Sequence, residues 1–321
     1  MTARTAANTA PLKRQKTAWR KRSAMVRIWQ NYELYLFLIP TLAYFILFHY
    51  VPMYGVQIAF KNFIAVKGIS GSPWVGFDHF ERFFASYQFM TVLRNTLGIS
   101  LYELLVAFPA PIALALLLNQ VTSERFKKFV QTVTYAPHFI SVVVVVGMLY
   151  LFLSPKHGLV NIALQGLGME PIYFMAKAEW FKTIFVFSGI WQNLGWATII
   201  YLAALSGVNP DLHEAAVVDG ATKVQRIRHI DLPSIMPTIM ILLILNVGHM
   251  MSVGFEKVYL MQNQLNVDSS EVIQTYVYKS GLLNAQFSYS AAIGLFNSVV
   301  NFILLITVNQ LAKKMKQASL W

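Results

Sequence analysis

The chain has 321 residues, of which 56% are hydrophobic and only 12% are charged, and its mean hydropathy is +0.51. Soluble domains carry about twice that charged fraction, so the composition excludes an ordinary soluble domain and predicts a polytopic membrane protein. The sequence contains no cysteine, which excludes disulfides, thiolate nucleophiles and cysteine metal sites.

Residues 1–33 are predicted to form a basic cytoplasmic tail, because they hold eight lysines and arginines and lack long apolar runs. The start of this tail has the composition of a disordered segment. From Trp19 to Tyr32 an amphipathic helix could lie along an anionic lipid surface. A solvated tail that serves only as an orientation signal explains the same residues equally well.

Residues 34–321 are predicted to form one six-span domain, since a run of about 20 apolar residues can cross a bilayer. Prolines 40, 52, 109 and 111 fall inside the spans and predict bends or breaks there. The spans are expected near 34–60, 92–118, 129–153, 181–206, 234–256 and 289–311.

The distribution of positive charge predicts the orientation. Besides the eight cations of the tail, three lie in each of the segments around Arg125, Lys223 and Lys313. The positive-inside rule therefore places both termini and the segment around Lys223 in the cytoplasm. This placement assigns most of the net charge of +12 to orientation and argues against nucleic-acid binding.

A polar loop at about 207–233 interrupts the apolar runs and reads as a short capped helix. Asn209 can cap it, Pro210 suits its first turn and Gly220 suits a left-handed stop. Thr222 can cap a second short helix, with Pro233 in the first turn of the next span. One face of the first helix is expected to carry Leu212, Ala215, Ala216 and Asp219.

The same loop contains a long gapped pattern: Glu214-Ala215-Ala216, then Gly220, then Ile230 and Leu232-Pro233. This pattern resembles the EAA motif of permease subunits of binding-protein-dependent ABC importers. The alternative of an ordinary capped helix leaves the offset of Leu232-Pro233 unexplained. The resemblance implies a coupling helix that seats in a separate ATPase subunit. The implied coupling residues are Glu214, Ala215, Ala216, Asp219, Gly220, Ile230, Leu232 and Pro233.

The resemblance also implies an all-α permease fold of the type I importers, located in the bacterial inner (plasma) membrane. The implied partners are a second homologous permease, two ATPase subunits that bind ATP and Mg, and a periplasmic or extracellular sugar-binding protein. The chain itself would bind no cofactor. Arg94-Asn95-Thr96-Leu97 and the stretch 191–196 resemble the carbohydrate-uptake branch, which takes up oligosaccharides and polysaccharide fragments, including acidic ones such as alginate.

Several polar side chains inside the predicted spans could line a sugar path, because polar groups in lipid are costly. In span five, Asn246 and His249 are expected on one helical face with Val253 and Glu256. The alternative is that they bond to neighbouring helices.

In span four, Ser188 and Gln192 lie one turn apart, and Trp191 could stack on sugar rings. An interfacial anchor is the alternative role for tryptophans here. Glu103 is the one acid well inside a span, and it could line the path or form a structural pair.

The sequence lacks a Gly-x4-Gly-Lys-Ser/Thr loop, a His-Glu-x-x-His motif and a Gly-x-Ser-x-Gly elbow, so we expect no ATP hydrolysis or other enzymatic activity by this chain alone. Its seven histidines are scattered, which predicts no metal site. Two other classes remain as alternatives. An ion-gradient-driven secondary sugar transporter would need inverted repeats and intramembrane ion ligands, and a membrane-embedded enzyme would need clustered catalytic groups.

Overall fold

The computed structural model describes residues 31–321. The predicted interfacial helix from Trp19 to Tyr32 therefore lies almost wholly outside the described residues. Within 31–321 the only β-pairing is an isolated bridge between Lys61 and Trp74, which confirms the all-α prediction. The α-helices are Tyr32–Phe45, Val51–Met53, Gly68–Gly71, Asp78–Phe84, Tyr87–Tyr102, Pro109–Asn119, Glu124–Tyr135, Val142–Phe152, Leu159–Gly166, Ala178–Ser206, Pro210–Val218, Lys223–Arg226, Leu232–Gly248, Phe255–Met261, Val267–Ser270, Ile273–Tyr278 and Phe287–Lys314.

Among residues 31–321, five continuous helices and one bent helix pair have the length and apolar character of membrane spans. They match the six expected spans in order. We number them span one to span six: Tyr32–Phe60, Tyr87–Asn119, the pair Glu124–Phe139 with Val142–Phe152, Ala178–Ser206, Lys223–Gly248 and Phe287–Lys314.

Three spans pass through π-helical turns that end just before a proline. The turn Ile46–Tyr50 precedes Pro52, Glu103–Ala107 precedes Pro109, and Ile227–Asp231 precedes Pro233. Proline has no amide hydrogen and its ring crowds the carbonyl four residues earlier. A π turn adds one residue at that point, so the helix continues through these prolines. At Pro52 and Pro109 the sequence predicted a bend or a break.

Span three differs from the expected single helix at 129–153. Its two halves meet at a bend of 100° between Phe139 and Val142. Pro137 lies in a 3-10 turn just before the bend. Ser141 then caps the second half, because its hydroxyl accepts a hydrogen bond from the amide of Val144. The sequence predicted a span here but not this bend, because the apolar composition does not change across it.

The chain divides into two compact units, one ending at Gly55 and one comprising Val56–Trp321. In the first unit, no residue of the helical turns from Tyr32 to Met53 is buried. In the second, buried apolar side chains form three clusters. One of these joins spans two, four and five through Ala115, Tyr201, Leu205, Ile235 and Ile239.

Candidate coupling loop and transport cavities

A helix from Pro210 to Val218 follows span four, and its two ends are closed by local hydrogen bonds. We call Pro210–Val218 the coupling helix. The side chain of Asn209 accepts a hydrogen bond from the amide of Asp211 at 3.0 Å, a cap worth about 1 kcal/mol. At the other end Gly220 has a φ of +79°, as the sequence predicted.

Two backbone hydrogen bonds complete that end. The amide of Ala221 donates to the Ala216 carbonyl and the amide of Gly220 donates to the Val217 carbonyl, at 2.8 and 3.0 Å. This is the Schellman arrangement, which needs a left-handed residue where Gly220 lies. These local bonds therefore fix where the helix begins and ends without help from tertiary contacts.

The coupling helix contains no buried residue. Its apolar side chains stand in solvent, with Leu212 51% exposed and Val218 87% exposed. Glu214, Ala215 and Asp219 are also exposed, whereas Ala216 is half-buried. The surface therefore offers apolar side chains beside an acidic residue, a composition suited to protein contact.

The sequence predicted a separate short helix after Gly220, and the structure corrects this prediction. Thr222 caps it through a reciprocal capping box with Gln225, and the helix then runs without a break from Lys223 to Gly248. The π turn Ile227–Asp231 makes this possible, since the Leu232 amide donates to the Ile227 carbonyl and the helix continues through Pro233. Ile230 and Leu232 are half-buried, and Pro233 is exposed.

Asp231, which the motif leaves unspecified, is fully buried. Its Oδ2 accepts a hydrogen bond from the Gln120 amide at 2.7 Å, and its Oδ1 accepts one from the Asn119 amide at 3.3 Å. The ring atom Nε2 of His213 lies 3.1 Å from Oδ1. The sequence analysis did not single out Asp231. The signal that could have found it is an acidic residue between the apolar residues Ile230 and Leu232.

Asn246 and His249 do not share a helical face with Val253 and Glu256, which corrects the prediction. Span five ends at Gly248, and the chain turns over residues 249–254. A side chain at position 248 would overlap Leu305 of span six. After the turn begins, the Met251 amide donates to the Asn301 side chain of span six at 2.9 Å.

The turn contributes to a cavity of about 350 Å³. Asn246 and His249 border it, as does Glu103 of span two. Asn246 and His249 are exposed and Glu103 is half-buried. The other polar side chains that line the cavity are Ser100, Tyr201 and Ser252.

A second cavity, of about 330 Å³, also borders Glu103. It is lined by Gln192 and Asn193 of span four together with Glu256 and Lys257. Gln192 is buried and donates a hydrogen bond to the Ile140 carbonyl at 2.9 Å. The structure therefore brings four of the expected path residues, Asn246, His249, Glu103 and Gln192, to two cavities that share one side chain.

Lys257 follows the turn and is only 8% exposed. Its Nζ donates to the Phe185 carbonyl at 2.9 Å and lies 4.8 Å from the centre of the Phe185 ring. Burial lowers the pKa of this ammonium to about 8, while the charge of Glu103 acts in the opposite direction. Lys257 lies in the short helix Phe255–Met261, which begins after span five has ended at Gly248.

Ser188 and Trp191 lie elsewhere. They line a separate cavity of about 650 Å³ whose walls are almost wholly apolar, including Phe152, Phe174 and Phe187. The Ser188 hydroxyl donates to the backbone of its own helix. The two residues therefore do not border the polar cavities that contain Asn246, His249, Glu103 and Gln192.

Residues 107–317 match the family described as the inner membrane component of binding-protein-dependent transport systems. The chain is 45% identical to Protein LplB of Bacillus subtilis, with 98% of this chain and 99% of that protein covered. It is also 45% identical to the polygalacturonan/rhamnogalacturonan transport system permease YteP of Bacillus subtilis, with 94% of each covered.

A solved structure of a bacterial alginate ABC transporter, in complex with an alginate pentasaccharide-bound periplasmic protein, contains a chain of the same fold. The TM-score is 0.86 and the identity 41%, over 93% of this chain and all of that chain. These matches favour an ABC importer permease over a secondary transporter. The chain belongs to the family of inner membrane components of binding-protein-dependent transport systems, which are membrane subunits and not themselves enzymes.

Proposed function

We propose that this chain is one permease subunit of an ATP-driven importer that takes up oligosaccharides containing uronic acids. The observation that carries the proposal is the capped coupling helix, whose exposed apolar residues Leu212, Val217 and Val218 lie at the EAA motif. Nothing in that helix is buried, so its apolar side chains have water as their surroundings until a partner covers them.

In the proposed assembly a second, homologous permease completes the membrane part, and two ATPase subunits that bind ATP and Mg receive the coupling helices. Both termini and the coupling helix face the cytoplasm, in agreement with the distribution of lysine and arginine. A loaded binding protein docks on the opposite side. Closure of the ATPases moves the coupling helices together and opens the path towards the binding protein.

The path is proposed to run through the two cavities that share Glu103. Their polar side chains offer both donors and acceptors, which sugar hydroxyls need in a route without bulk water. Asn246, His249 and Gln192 are the neutral groups that would bind hydroxyls. Ser188 and Trp191 line the apolar cavity, so a role for them in the path would require a rearrangement of span four.

The uronic acid class rests on two similar transporters and on two cations of this chain. YteP is named for the acidic polysaccharides polygalacturonan and rhamnogalacturonan, and a second similar structure is that of a transporter that imports the acidic polysaccharide alginate. In this chain, Lys257 borders a cavity. Lys182 of span four lies close to Gly98 of span two. These cations are suited to substrates that carry carboxylates.

The test is uptake in liposomes that hold the assembled importer, with the binding protein and ATP supplied on their respective sides. We expect ATP-dependent uptake of oligogalacturonate or alginate oligosaccharides and no uptake when an ion gradient replaces ATP. Neutral arabino-oligosaccharides serve as the matched control. Uptake of the neutral sugar alone would contradict the substrate class, and uptake without ATP would contradict the mechanism.

A further inference from the structure

The most deeply buried charge in the coupling loop belongs to Asp231, whose side chain has no exposed surface. A carboxylate removed from water is costly unless hydrogen-bond donors replace the water. Both oxygens of Asp231 have such donors in the structure. The structure therefore replaces the lost water at both carboxyl oxygens of Asp231 with hydrogen-bond partners from the protein.

The donors come from two segments that are far from Asp231 in the sequence. Asn119 is the last residue of span two and Gln120 caps it. His213 lies in the coupling helix. Asp231 itself ends the π turn that leads into the remainder of span five. One side chain thus joins the coupling helix to the ends of two spans.

Within residues 31–321, the contact between His213 and Asp231 is the only hydrogen bond or ion pair from the coupling helix to a span. The remaining hydrogen bonds of the helix are local to its two ends. The helix also lacks buried apolar residues. Its orientation relative to spans two and five therefore depends strongly on this pair.

The spans that meet at Asp231 are already packed together farther along their length. Ala115 of span two and Ile235 of span five are fully buried in one cluster with Leu205 of span four. Packed apolar side chains move as a unit because interiors are dense and resist compression. A displacement applied at Asp231 is therefore passed to this cluster.

We propose that Asp231 is a positioning residue that joins the coupling helix, through His213, to the ends of spans two and five, so that the spans follow the helix when an ATPase moves it. This proposal rests on the proposed function, which supplies the ATPase. It assigns to Asp231 neither substrate contact nor ATPase contact. Its effect is on the amount of sugar moved per ATP hydrolysed.

The experiment compares Asp231→Ala with His213→Ala, which removes the half-exposed partner and leaves the buried acid its amide donors. In assembled importers in liposomes, we expect each variant to keep the bound ATPase and its hydrolysis. Sugar moved per ATP should fall about fivefold or more, the lower range of measured couplings between sites. The double variant should fall no further than Asp231→Ala, because the two residues act through one contact.

Two further variants separate positioning from general damage. His213→Gln keeps a donor for the carboxylate and should restore much of the coupling. Glu124→Gln removes an exposed acid at a helix start outside the network and should behave as wild type. Loss of coupling in Glu124→Gln equal to that in Asp231→Ala would overturn the proposal.

A distance measurement tests whether Asp231 holds the coupling helix near the end of span two, without relying on transport. The chain has no native cysteine, so spin labels at Thr122→Cys, three residues after span two ends, and at Val218→Cys report the separation of that end from the coupling helix. Asp231→Ala should broaden that distance distribution in lipid nanodiscs. An unchanged distribution together with unchanged sugar per ATP overturns the proposal. If the wild-type chain captures no ATPase, the proposed function is overturned. The role of Asp231 in passing motion from the ATPase then falls with it, even if the distance distribution broadens in Asp231→Ala.

Discussion

The coupling helix and the segment between spans five and six are held in opposite ways. Residues 255–283 contain a buried polar network in which Asn266, Ser270, Glu271 and Thr275 are almost without solvent contact. Lys279 donates to Glu271 at 2.6 Å, and Glu271 accepts from Thr275 at 2.9 Å. The coupling helix has no buried residue and one polar tie to a span. The segment between spans five and six is held by contacts within this chain, whereas the coupling helix is suited to a surface supplied by another protein.

The largest expected effect comes from the end of the coupling helix. Gly220→Pro forces a φ near −65° where the chain has +79°, at a cost of about 3 kcal/mol or more. Ala216→Trp would block close seating of the same helix. We expect both variants to insert normally and to lose ATP-coupled uptake, measured in liposomes.

Gly168→Pro is the matched control for this change, because Gly168 has a φ of +78° after the helix Leu159–Gly166, outside the coupling loop. It should suffer similar local strain and retain ATPase coupling. Normal uptake by the Gly220 and Ala216 variants would contradict the role of the coupling helix.

The second prediction concerns stability of the network after span five. The Asn266 amide donates to the Met175 and Met261 carbonyls, and its oxygen accepts from Ser270. Asn266→Ala deletes these three hydrogen bonds and the one that the Asn266 oxygen accepts from the Asn263 amide, and it leaves the buried Ser270 hydroxyl without that acceptor. The free energy of unfolding should therefore fall by about 3 kcal/mol. Denaturant titration of the purified chain, followed by tryptophan fluorescence, measures this change. The exposed Asn284→Ala should have little effect, and an equal loss in both variants would refute the comparison.

The third prediction tests whether the coupling helix is an interface. Leu212→Ser should leave the unfolding free energy unchanged, since the side chain is already 51% exposed. It should weaken binding of the ATPase about tenfold, because a leucine covered by a partner contributes roughly 1.5 kcal/mol or more. Affinity is measured with labelled ATPase and the permease in nanodiscs. Val66→Ser, at a residue 97% exposed elsewhere, is the control, and equal affinity of both variants would contradict the interface.

The smallest expected effect is on pH dependence. Since burial holds the pKa of Lys257 at about 8, the ammonium is mostly charged below that pH and loses its charge above it. Uptake of uronate oligosaccharides should therefore fall by up to about tenfold between about pH 7 and about pH 9. Glu103 and Glu256 are the acids that line the same cavity.

Lys257→Arg keeps the charge throughout this range and should remove most of the decline. Lys257→Met should have low uptake at every pH. If the importer also carries neutral arabino-oligosaccharides, their uptake measures the pH dependence that does not involve the charge of Lys257. A decline in Lys257→Arg as steep as in the wild type would assign the effect to another group.

The sequence predicts the coupling helix well because its determinants are local. The cap at Asn209 and the stop at Gly220 involve residues a few positions apart. The order of the spans also follows from apolar length alone. Asp231 escapes such reasoning because its amide partners lie 111 and 112 positions away, a distance at which no periodicity operates.

The end of span five shows the same limit. Apolar residues continue past Gly248, so composition alone extended the helix to about residue 256. The structure ends it at Gly248, where Leu305 fills the space beside the glycine, and Asn301 binds the Met251 amide. Both contacts come from span six, and neither has a signature near Gly248 in the sequence.

The shared border at Glu103 has an evolutionary consequence. Because one carboxyl lines both polar cavities, a single codon change there would alter the side chain that a substrate meets in both cavities of the proposed path. A lineage adapting to a sugar of different acidity could thus shift its preference in one step. Neutral groups such as Asn246 and Gln192 each border only one cavity, so the same shift made through them would need separate changes.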